Sequence, residues 1–183
     1  MSKVIYMIRH TAVDIASGTC YGWLNVMPDR SYGASVKTLK EKLSDLHFPT
    51  MYCSPLLRCS LLAQDLFDQH IHYDDRLKEM HFGRWEGASW MDIYKEENGK
   101  RWFDNYLTAR CPDGESFVDL FTRVGQFIAE LPQTDAPVCI VTHAGVIRAA
   151  LVYFQLVEAK DAFNVEVPYG GIIKIENSKF YLQ

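Results

Sequence analysis

The chain has 183 residues, 48% of them hydrophobic and 23% charged, with a formal net charge of −4. That length fits one domain over residues 1–183 with a sizeable core, and that composition excludes disordered, collagen-like and coiled-coil chains. The acidic balance offers no basic stripe for a duplex, so no nucleic-acid partner is expected, although a few arginines in one cleft can still hold a small anion.

From the amino terminus, residues 4–8 form an apolar run that stops at Arg9, too short for the core of a signal peptide. The run reads as a strand covered on both faces. Val36, Leu39, Leu43 and Leu46 then recur at helical spacing. Residues 50–53 read as a second strand. After it, Ser54 is placed to cap a helix whose first position is Pro55 and whose buried face is Leu57, Leu61, Leu62 and Leu66. Residues 71–73 read as a short edge strand. Ser116 and Asp119 form a capping box before Phe117, Leu120, Phe121, Val124, Ile128 and Leu131, and Pro132 closes that helix. Residues 138–141 form another fully apolar strand, followed by a helix carrying Val146, Ile147, Ala150, Leu151 and Phe154. Two last strands, 172–176 and 179–182, flank Asn177-Ser178 as a hairpin. Alternating strands and helices predict an α/β fold, a three-layer α/β/α sandwich around a mostly parallel sheet.

Nothing approaches the roughly 18 consecutive apolar residues of a membrane span, so no membrane partner is expected. The cysteines at 20, 53, 59, 111 and 139 are odd in number and lack Cys-x-x-Cys spacing. That usage fits reduced thiols and a cytoplasmic location better than disulfides or a zinc site. The oligomeric state stays open.

In sheets of this kind ligands sit beyond the carboxyl ends of the strands. Three predicted strands end there in Arg9-His10-Thr11, Ser54-Pro55-Leu56-Leu57-Arg58 and Thr142-His143-Ala144-Gly145. Arg9 and Arg58 offer forked, permanently charged donors for a phosphate, and His143 adds a further donor at a helix start. His10 can attack phosphorus when one ring nitrogen is bare, a state that two nearby guanidiniums favour. Glu79, in the aromatic-rich stretch 76–87, is a candidate proton donor for the leaving alcohol. The expected partner is therefore a small-molecule phosphate ester, handled without a metal or other cofactor.

Arg9-His10-Thr11, Ser54-Pro55-Leu56-Leu57-Arg58-Cys59, Leu77-Lys78-Glu79-Met80-His81-Phe82-Gly83 and Thr142-His143-Ala144-Gly145 together resemble the histidine phosphatase superfamily, also called phosphoglycerate-mutase-like. The resemblance covers nearly the whole chain. It implies that His10 is the phosphorylated nucleophile, that Arg9, Arg58 and His143 bind phosphate, and that Glu79 is the general acid. It gives Asp113-Gly114-Glu115-Ser116 a structural part. Arg9 to Asp14 followed by Cys20-Tyr21-Gly22, and Glu79 to Glu86, further resemble α-ribazole phosphatases, which implies hydrolysis of α-ribazole 5′-phosphate in cobalamin nucleotide-loop assembly. Thr11, Tyr21, Gly22 and Ala144 are the accompanying candidates for substrate contact. The chain departs from the family pattern at Thr11 and Ala144, where Gly is usual, at Ala16, where many members have Asn, and over Trp23-Leu24-Asn25-Val26, where the ribazole-type pattern is more polar.

Other readings weigh less. A phosphoglycerate-type mutase usually comes with longer chains. A phosphate-binding pseudoenzyme would usually lack the nucleophile or the acid. Gly18-x-Cys20-x-Gly22 copies a nucleophile elbow but has no strand before it, so it reads as a turn. His70 and His72 share a strand face with no third metal ligand at a diagnostic spacing. Tyr21, Trp85 and Trp90 could stack on an aromatic leaving group, although most aromatic side chains are core.

Overall fold

The computed structural model describes residues 4–134 and 136–183. In chain order its strands are β1 (Ile5–Arg9), β2 (Thr50–Cys53), β3 (His72–Tyr73), β4 (Val138–Thr142), β5 (Ile172–Glu176) and β6 (Lys179–Leu182). Its α-helices are α1 (Tyr32–Leu43), α2 (Leu57–Leu66), α3 (Trp90–Lys95), α4 (Glu97–Asp104), α5 (Phe117–Glu130) and α6 (Ala144–Tyr153). The six strands form one sheet in the order β3-β2-β4-β1-β5-β6. Pairing is parallel from β3 to β1 and antiparallel for the last two strands.

Alternation along the strands divides the core in two. Ile5, Met7, Val138 and Ile140 point to one face and pack with Leu120, Val124 and Phe127 of α5 and Val146, Ile147 and Leu151 of α6. Tyr6, Ile8, Cys139 and Val141 point to the other and pack with Val36 and Leu39 of α1 and Cys59 and Leu62 of α2. Every described residue of β4 is buried, as a central parallel strand requires. The expected three-layer α/β architecture is the observed one.

The capping box is present: the Ser116 hydroxyl accepts from Asp119 N–H, and the Asp119 carboxylate accepts from Ser116 N–H. A cap of this kind is worth about 1 kcal/mol. The expected helix start at Pro55 is not observed. α2 begins at Leu57, and the Ser54 hydroxyl, two residues before the N-cap Leu56, accepts from Leu56 N–H at 3.3 Å and from no N–H of the helix itself. A residue before proline is disfavoured from helical backbone, and the Ser54 side chain also meets His143 Nε2 at 2.8 Å.

Register fixes the working edge. Arg9 pairs with Thr142 and Cys53 with Val141, so β1, β4 and β2 end side by side. The long β1–α1 loop folds back over that edge. An isolated bridge between Val13 and Pro28 closes the loop on itself, and one between Thr19 and Ser89 ties it to the segment before α3.

Candidate active site

His10, Ser54 and His143 each follow directly on one of these three strands, and their neighbourhood follows from the register. The rings of His10 and His143 have centroids 5.2 Å apart. Both residues are essentially buried, as are Arg58 and Thr11. His10 Nδ1 lies 2.8 Å from the Thr11 carbonyl, which can only accept, so Nδ1 carries the proton. Arg58 Nε donates to His10 Nε2 at 3.2 Å, so Nε2 carries the lone pair. Burial first, and then the Arg58 charge, hold the His10 pKa well below the ordinary imidazole value; the Thr11 hydrogen bond opposes them. The ring is therefore neutral, with its bare nitrogen facing the cations.

Arg58 is held from three sides. Besides His10, its Nη1 donates to Leu24 O at 2.8 Å and its Nη2 to Gly22 O at 2.7 Å. Gly22 thus serves through its carbonyl. A Cβ there would come within 2.3 Å of the Glu86 carboxylate, and its φ of +32° suits glycine. The backbone N–H of Leu57, at the start of α2, is not free for an anion because it donates to Asn25 Oδ1 at 3.1 Å.

Arg9 Nη1 donates to Val167 O, and its guanidinium lies 3.8 Å from the centre of the Tyr169 ring. The Tyr21 ring faces Arg58 at 5.0 Å. The two tyrosine hydroxyls meet at 2.9 Å. This pair roofs His10, whose ring lies 6.3 Å from Tyr21 and 5.6 Å from Tyr169. Under the roof, Arg9 Nε and Thr11 Oγ1 are buried without a hydrogen-bond partner. A buried polar atom left unpaired is costly, and two such donors at one cationic site suit the binding of an anion.

His143 Nε2 meets the Ser54 hydroxyl at 2.8 Å and the Cys59 thiol at 3.4 Å. Burial, then Arg58 and His10, push its pKa down. Cys59 is no reactive thiolate: burial pushes its pKa up to about 12. Glu79 reaches the same edge from the loop before a 3₁₀ turn at Gly83–Trp85. Its Oε1 accepts from Met80 N–H at 2.9 Å and its Oε2 from Gly145 N–H, in the first turn of α6, at 3.2 Å.

Beside the roof lies a cavity of about 520 Å³ lined by Arg9, Tyr21, Gly22, Glu79, Ala144, Gly145 and Tyr169, and by Val13, Ile15, Ala16, Met80, Phe82, Trp90, Phe163 and Arg148. All nine expected site residues therefore lie in the buried cluster or on the wall of this cavity. Trp85 does not: it is 2% exposed, packs in the core, and its indole N–H donates to Glu96. His70 and His72 are exposed, and among the described residues no group of three metal-binding side chains forms. Cys20 is buried and burial raises its thiol pKa, which does not suit a nucleophile; the turn lies just before it, at Ser17-Gly18.

Three neighbours of the site were not anticipated. Ser54 looked like a helix cap. Tyr169 carried no signal beyond an aromatic before Gly170-Gly171. Arg148 did carry one, an arginine inside the apolar run of α6. Its guanidinium donates only to Val165 O and makes no ion pair among the described residues, and burial lowers its pKa.

The similarities to known proteins agree with this geometry. The chain is 32% identical over 181 residues to 6-phosphofructo-2-kinase/fructose-2,6-bisphosphatase of Caenorhabditis elegans, covering 96% of the chain but 39% of that longer protein. The structure superposes on α-ribazole phosphatase of Shigella flexneri with a TM-score of 0.85 at 25% identity, covering 98% of this chain and 94% of that one. It shares its fold with a mycobacterial glucosyl-3-phosphoglycerate phosphatase, with a TM-score of 0.86 at 21% identity, covering 100% and 98%. Residues 5–180 match branch 1 of the histidine phosphatase superfamily, and the chain belongs to that superfamily.

Proposed function

We propose that the protein is a metal-independent phosphomonoesterase that works through a phosphohistidine at His10. The observation that carries this reading is the His10 tautomer: Nδ1 is committed to the Thr11 carbonyl, and Nε2 is bare beside Arg58. Arg9, Arg58 and His143 hold the phosphoryl oxygens, with the unpaired Arg9 Nε and Thr11 hydroxyl as added donors. In the first step Nε2 forms a bond to phosphorus, the bond to the ester oxygen breaks, and Glu79 gives its proton to the departing alcohol. In the second, Glu79 takes a proton from water, whose oxygen attacks phosphorus. The P–N bond breaks, and phosphate and neutral His10 are released.

For the alcohol, α-ribazole is the leading reading. Its support is the Cys20-Tyr21-Gly22 stretch, the likeness to the Shigella enzyme, and the presence of Phe82, Trp90 and Phe163 in the cavity lining. The cavity volume falls within the roughly 300–1,000 Å³ range of small-molecule sites. One observation favours a second reading. Arg148, which lies on the cavity wall and makes no direct ion pair among the described residues, suits an alcohol bearing another anionic group, such as a sugar phosphate or a phosphorylated acid.

Two measurements test these readings. Native protein mixed with substrate is expected to carry an acid-labile, base-stable phosphoryl group, and His10→Ala is expected to abolish turnover while staying folded. Turnover that survives in His10→Ala refutes the mechanism, and binding without turnover across all esters makes the protein a phosphate-binding module. A comparison of kcat/KM over α-ribazole 5′-phosphate, phosphoglycerates, sugar phosphates and phosphoserine identifies the alcohol. A flat profile removes the ribazole reading, and interconversion of phosphoglycerates faster than phosphate release makes the protein a mutase.

A further inference from the structure

The segment that carries Glu79 has little secondary structure of its own, yet its carbonyls are nearly all occupied. Arg123, on α5, donates from Nη1 to Arg76 O and Lys78 O, each at 2.7 Å, and from Nη2 to Glu79 O at 2.8 Å. The Leu77 carbonyl between them accepts from the Thr142 hydroxyl at 2.8 Å. Arg123 is itself fixed by Glu115: Nε donates to Oε1 and Nη2 to Oε2, both at 2.8 Å. Glu115 also grips the far side of the segment. Its Oε2 accepts from His81 N–H at 2.9 Å, and its own N–H donates to His81 O at 2.7 Å. The two side chains are 15% and 16% exposed, so water competes little for these bonds.

This arrangement is more than a tie between a loop and a helix. A guanidinium has five N–H donors in a rigid plane. Here they are spent on a carboxylate and on three carbonyls within four residues, the last being that of Glu79. With Glu79 O fixed and its carboxylate drawn to Gly145 N–H, the acid is anchored at both ends. A lysine could satisfy charge but not this fan of acceptors.

We propose that Arg123, locked by Glu115, is a positioning residue that sets Glu79 for proton delivery to the leaving alcohol. The inference rests on the reading of Glu79 as the general acid. It assigns the Gly114-Glu115-Ser116 stretch a part in catalysis beyond opening a helix. A shift of about 1 Å in a reacting group costs on the order of 100-fold in rate, and general acid catalysis itself contributes roughly 100-fold or more. Loss of the clamp should therefore cost proton transfer while leaving the phosphate pocket in place.

The test compares two esters that differ in their need for a proton. Nitrophenolate leaves from 4-nitrophenyl phosphate unaided, whereas an alkyl phosphate needs its oxygen protonated. Arg123→Met is expected to lower kcat/KM, which reports phosphoryl transfer to His10 and not the later attack of water, about 100-fold for the alkyl ester and less than about fivefold for the nitrophenyl ester. Arg123→Lys should recover part of the loss, and Glu115→Gln should fall between. Equal losses on both esters, or none on the alkyl ester, overturn the proposal. If Arg123→Met fails to fold, the same comparison in Arg123→Lys and Glu115→Gln decides it. Glu79→Gln is the control for the underlying reading. If it shows the leaving-group dependence and the Arg123 variants do not, the clamp alone is refuted. If Glu79→Gln shows none, the acid assignment falls and the clamp proposal with it.

Discussion

The Tyr21 and Tyr169 hydroxyls lie 2.9 Å apart over His10, and the His10 residue is 1% exposed. A phosphate ester reaching the bare nitrogen has to part that bridge or slide beneath it. The backbone next to Tyr169 is not free to help. Gly170 N–H donates to His10 O at 3.1 Å, and Arg9 N–H donates to Gly171 O at 3.0 Å. Opening therefore falls to rotation of the half-exposed Tyr169 side chain. A competent state that is only partly populated weakens apparent binding by that fraction. The bridge is worth about 1 kcal/mol, so Tyr169→Phe is expected to tighten binding of inorganic phosphate up to about fivefold. Titration calorimetry measures this. Weaker binding in the variant would make the hydroxyl a phosphate ligand rather than a latch.

At the scale of elements, the junction of α6 with the Glu79 segment offers a separable test. Gly145 is helical, and alanine there should favour the helix by up to about 1 kcal/mol. A Cβ at that position, however, would lie 2.2 Å from Glu79 Oε1 and 3.3 Å from Leu120 Cδ2. The carboxylate, as the end of a flexible side chain, gives way before the helix does. Gly145→Ala should thus keep or slightly raise Tm yet lower kcat on alkyl phosphates by on the order of 100-fold. Parallel losses in stability and activity would contradict this. The same junction shows what the sequence made legible. Residues 4–8 and 138–141 are continuous apolar runs and 50–53 a shorter strand, and the parallel ends of β1, β2 and β4 bring His10, His143 and, through the start of α2, Arg58 together. Helices α3 and α4 gave no such signal. They have six and eight residues, they share Glu96 as a boundary, and α4 includes Gly99, where a Cβ would come within 1.7 Å of Ile93 O. Their order comes from tertiary packing, with Trp90 stacked on Trp102, rather than from local propensity. Ser54 misled for a different reason. Cap chemistry and active-site chemistry use the same hydroxyl, and only the fold shows that it faces His143.

For the molecule as a whole, building the site from buried neutral imidazoles ties stability to pH. His10 and His143 both have folded-state pKa values pushed well below 6.5, chiefly by burial. In the unfolded chain each titrates near the ordinary value of about 6.5. Above that pH neither state carries the extra protons, and the full stability is present. As pH falls below it, the unfolded chain binds two protons that the folded protein refuses, so unfolding gains. The loss continues until pH passes the depressed folded values. Each histidine contributes a slope of about 1.4 kcal/mol per pH unit, so the pair approaches about 2.7. Asp74 and Asp119, whose pKa values are also lowered in the fold, weaken it only in more acidic solution, below about pH 4. The window from pH 6.5 to 5 therefore reports mainly on the histidines. Against a typical total of 5–15 kcal/mol, a fall of this size is readily measured. Urea unfolding at pH 7.5, 6.0 and 5.5 should show stability dropping across that window, and His10→Asn should show about half the slope. Equal slopes for the two proteins would mean that His10 accepts a proton in the folded state, and the neutral-nucleophile reading would fall with it.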